Sequence, residues 1–78
     1  MPGNSIKLRT HGLKDIYKLY TILVSNDVNA TASKGYRVVN TKSLLGLVSL
    51  EPDKGFELEI SPNENIEDIH KILVDFLE

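Results

Sequence analysis

The chain contains no cysteine, which excludes disulfides, thiol redox chemistry and cysteine-ligated metal together. No apolar run approaches the ~20 residues that span a bilayer, so no membrane insertion is expected. Excess positive charge is also missing. Nine Lys and Arg stand against eleven Asp and Glu, for a formal charge of −2 and a pI near 5.6. That balance leaves no basic footprint for a phosphate backbone and argues against nucleic acid as a partner. The opening Met1-Pro2-Gly3-Asn4-Ser5 lacks the basic and apolar stretches of a signal peptide, so a cytoplasmic location is expected. Internal repeats and low-complexity segments are absent.

What is present fits one small globular domain over residues 1–78: 41% of the residues are hydrophobic and 26% charged. A chain of this size buries only about 60% of its unfolded surface. That leaves little room for a deep catalytic cavity and favours a surface that works by docking.

The punctuation of the chain sets its elements. Ile6 and Leu8 alternate with Lys7 and Arg9, so residues 5–10 read as a strand with one charged face, ended by Gly12. Ile16, Leu19, Tyr20 and Leu23 follow helical spacing over residues 15–25, and Asn26-Asp27 breaks the run. Val28, Ala30 and Ala32 alternate with polar residues. Beyond Lys34-Gly35, Tyr36 and Val38 alternate with Arg37, and the two stretches read as a hairpin. Residues 43–50, led in by the cap candidates Asn40-Thr41-Lys42-Ser43 and stopped by Glu51-Pro52-Asp53-Lys54-Gly55, read as a short helix. Phe56, Leu58 and Ile60 against Glu57 and Glu59 make a strand. Asn63 or Asn65 caps a last helix whose stripe is Ile66, Ile69, Leu73, Phe76 and Leu77, with Glu67 and Asp68 favourable at its N-terminal dipole.

The order is β-α-β-β-α-β-α, an α+β class. One-sided strands imply a four-stranded, mainly antiparallel sheet with one open face and three helices on the other. On the open face, Lys7 and Arg9 would complement Glu57 and Glu59 if the first and fourth strands are neighbours, as expected. The 43–50 helix is too hydrophobic for one buried side. At 100° per residue Leu47 and Leu50 face the sheet, Leu45 lies beside Ser49 on the far side, and Leu44 and Val48 fall between. An exposed apolar strip of this kind marks a docking surface.

Within Val39–Leu50, Lys42, Ser43, Gly46, Ser49 and Leu50 make a Lys-Ser-x-x-Gly-x-x-Ser-Leu pattern, followed by Lys54-Gly55 and the Phe56–Ser61 strand. This resembles the HPr family, the histidine-containing phosphocarrier proteins of the bacterial sugar phosphotransferase system. The likeness runs from about Ile6 to the end and is strongest over residues 38–60; Asp27-Val28-Asn29 also looks like the start of the second strand in Gram-positive members. The resemblance implies an open-faced β-sandwich with adjacent first and fourth strands. It also implies that Leu44, Leu45, Val48 and Ser49 contact enzyme I, sugar permease subunits or regulators, and that Ser43 matches a serine phosphorylated by a dedicated kinase. Ser43 as a helix N-cap is explained without phosphorylation, and the two roles are compatible.

The departure from the family is chemical. Its carrier histidine follows a Gly-Leu pair and precedes, two residues on, an arginine and then a proline; helix amides and the guanidinium stabilise the phosphoryl group. Here Gly12-Leu13 is followed by Lys14-Asp15-Ile16-Tyr17, and the interval from Lys14 to Val28 is shorter than in typical members. An ammonium offers no lone pair to accept a phosphoryl group. The expectation is therefore a domain without catalytic residues, cofactor or metal, monomeric, acting through protein contacts. The alternative is a phosphocarrier with an unusual site. His11 is the one histidine near that loop and reads as an ordinary strand-end residue. His70 reads as a boundary residue packing its ring, and no ligand spacing joins the two. Tyr17 and Tyr20 read as packing residues of the first helix, while Lys14, Lys18 and Lys42 read as a solvated surface or a small basic patch. A third possibility is a self-associating module that buries Leu44, Leu45 and Val48.

Overall fold

The structure, a computed structural model, describes residues 4–78, so the first three residues of the opening segment lie outside the described part. Seven elements follow in order: β1 (Ser5–Leu8), α1 (Leu13–Ser25), β2 (Ala30–Lys34), β3 (Arg37–Asn40), α2 (Leu44–Ser49), β4 (Phe56–Ile60) and α3 (Ile66–Ile72). Short 3-10 turns at Pro52–Lys54 and Val74–Phe76 complete the path. The strands form one antiparallel sheet in the order β1-β4-β2-β3.

The alternation in β4 does what its period of two demands. Phe56, Leu58 and Ile60 are buried, while Glu57 and Glu59 face solvent. The buried residues join Ile6, Leu8 and Ala32 from the sheet with Ile16, Leu19 and Leu23 of α1, Leu47 of α2 and Ile69 of α3 in one core. The helices therefore cover one face and leave the other open. As expected, β1 and β4 are neighbours, with Lys7 opposite Glu57 and Ser5 opposite Glu59. Arg9 lies beyond the strand and pairs with Glu78 at 2.8 Å instead.

Local signals end the helices. At the end of α1, the Asp27 amide donates to Val24 O and the Val28 amide to Leu23 O, with Asp27 at φ 51. This is a Schellman close, with buried Val28 as its apolar contact. Of the two asparagines that could cap α3, Asn65 does so: its Oδ1 accepts from the Glu67 and Asp68 amides.

Four expectations are corrected. β1 stops at Leu8 and α1 begins at Leu13, two residues earlier than the apolar spacing shows. Tyr36 lies in the hairpin turn, and Val38 faces out while Val39 packs on the core, so β3 carries apolar residues on both sides. The last helix ends at Ile72 and gives way to a 3-10 turn. There the chain runs along β1: Phe76 O accepts from the Arg9 amide, Leu77 pairs with Leu8, and the Glu78 amide donates to Lys7 O. No helix among the described residues is long and apolar enough to cross a membrane.

Candidate functional site

Two features carry the sequence-derived candidates: the N-terminal mouth of α1 and the outer surface of α2. α1 opens on Gly12, at φ 95, which has no side chain to cap the helix. Two carboxylates bind the amides just ahead of its first turn, and neither caps the helix. Asp15, in the first turn, accepts from the His11 amide at 2.9 Å. Asp53, brought in by the 3-10 turn after α2, receives the Gly12 amide with both oxygens at 3.0 Å. The hydroxyl of fully buried Thr10 donates to Asp53 Oδ1 at 2.5 Å. The Thr10 hydroxyl first and the Gly12 amide second hold the Asp53 carboxyl below its usual range, with a smaller push from the nearby His11 and some opposition from desolvation.

Lys14 is exposed in the first turn of α1. Ile16, two residues on, is buried in the core at 5% exposure. A guanidinium at that position would have to displace core packing. His11 corrects the sequence reading, because β1 ends before it and it stands one residue ahead of the α1 cap. Its ring, 75% exposed, has Nδ1 3.5 Å from Asp15 Oδ2. The mouth thus presents a carboxylate to the imidazole, and it already holds two negative side chains. A phosphoryl group there would add like charge to both.

The structure places the α2 residues as the helical wheel predicts. Ser43 caps α2, its Oγ accepting the Gly46 amide at 3.1 Å. Gly46 lets the helix lie against β3, since a Cβ there would come within 3.2 Å of Val39 Cβ and of Ser43 Oγ. Leu47 and Leu50 are fully buried. Leu45 is 82% and Val48 38% exposed, with Leu44 half-buried between them. Ser49 is exposed; its hydroxyl donates to Gly46 O, and its carbonyl accepts from Arg37 Nη2. α1 packs against α2, and Leu13 and Tyr17 of α1 are exposed.

The other candidates disperse. Lys42 Nζ pairs with Asp27 Oδ1 at 3.0 Å, beyond the C-terminal end of α1. Lys14 stands at the opposite end, roughly 18 Å of helix away, so the two lysines form no common patch. Tyr20 packs against the core, but Tyr17 is exposed and only leans on it, ring centroids 6.4 Å apart. His70 is exposed on α3 rather than packed at its boundary. Among the described residues no three His, Cys, Asp or Glu side chains gather where they could hold a metal ion. A concavity of about 550 Å³ lies open to solvent at the far end of the sheet, lined by Asn29, Thr31, Asn40, Lys42, Glu59 and Ser61.

The residues missed from the sequence are Thr10, Asp15 and Asp53. Asp53 read only as part of a turn, and nothing local marks a partner 41 positions away. No family model, curated protein or solved structure matches this chain.

Proposed function

We propose that the chain is an HPr-like domain of the bacterial sugar phosphotransferase system or its regulation, which has lost phosphoryl relay and acts through protein contacts made by α2. The observation that carries this reading is the α1 mouth. It offers the ammonium of Lys14, the carboxylates of Asp15 and Asp53, and a buried Ile16 two positions after the lysine. That set holds neither a lone-pair nitrogen at the family's carrier position nor a guanidinium beside it. The neighbouring β1 and β4 and the element order support the resemblance. On α2, the capping residue Ser43 is the one a regulatory kinase would modify, and Leu44, Leu45, Val48 and Ser49 form the partner face. A phosphate at that cap would meet helix amides and the positive end of the dipole, so modification leaves the fold intact.

A second reading keeps a phosphocarrier with His11 as the acceptor, because the ring stands just ahead of the α1 cap and Asp15 would orient it. One experiment separates the two. Incubation with phosphoenolpyruvate and enzyme I should leave no acid-labile phosphohistidine on the domain. A stoichiometric phosphohistidine that vanishes in His11→Ala would establish the second reading and overturn the first.

A further inference from the structure

We draw no further inference here: the strongest candidate, the exposed apolar stripe of Leu13, Tyr17 and Val24 along α1, carries nothing because nothing in the structure shows what covers it.

Discussion

Asp53 sits astride the Gly12 amide, each carboxylate oxygen 3.0 Å from the nitrogen, and ties the turn after α2 to the start of α1. Because the folded state holds the Asp53 carboxyl below its ordinary value of 3.8, the unfolded chain binds its proton first on acidification. The sign follows: this contribution to stability is whole above that ordinary value, shrinks as pH falls through the window beneath it and is gone below the lowered folded value. Urea midpoints measured from pH 7 to pH 2 should show an acid limb that is shallower in Asp53→Asn. Thr10→Val removes the buried hydroxyl while keeping its shape, and at pH 7 it should cost about 1–2 kcal/mol.

The Ser43 cap predicts a contrast between two substitutions. Ser43→Ala strips the acceptor from the Gly46 amide and should cost about 1 kcal/mol in urea denaturation. Ser43→Asp supplies an equivalent acceptor and a favourable charge at the helix start, so its stability should match the parent. Equal losses in both variants would show that Ser43 serves as something other than a cap.

Leu45 and Leu47 are two positions apart and should behave oppositely. Leu47→Ala empties a fully buried site and should cost about 2–5 kcal/mol. Leu45→Ser changes an exposed side chain and should stay within about 0.5 kcal/mol of the parent, while under the proposed function it should weaken binding of a partner protein to α2. Thermal unfolding reads the first contrast; pull-down with enzyme I or a permease subunit reads the second.

The same physics decides what was legible in the sequence. β4 and the α1 stripe announce themselves because their periods of two and 3.6 place every buried residue on one face. The Ser43 cap and the exposure of Leu45 follow from local chemistry and the wheel. The pattern of β3 does not phase it, because Tyr36, Val38 and Val39 are apolar at both parities, so the position of the turn sets which side faces in. The end of α3 and the carboxylate that Asp53 brings to the α1 mouth depend on β1 meeting residues 76–78 and on Asp53 meeting Gly12. Those pairings are non-local, and propensity carries no trace of them. The mouth is therefore the part of the candidate site that only the assembled fold discloses.

Gly55 separates backbone strain from side-chain crowding. A Cβ there would lie 2.7 Å from Glu78 Oε2, the oxygen paired with Arg9, but that atom is the far end of a flexible side chain. The backbone, at φ 92 and ψ 144, is the harder constraint, since an L side chain rarely adopts it. Gly55→Ala should therefore cost about 1–3 kcal/mol, and adding Glu78→Ala should recover little of the loss. If the double variant instead regained parental stability in chemical denaturation, crowding against Glu78 rather than strain would be the cause.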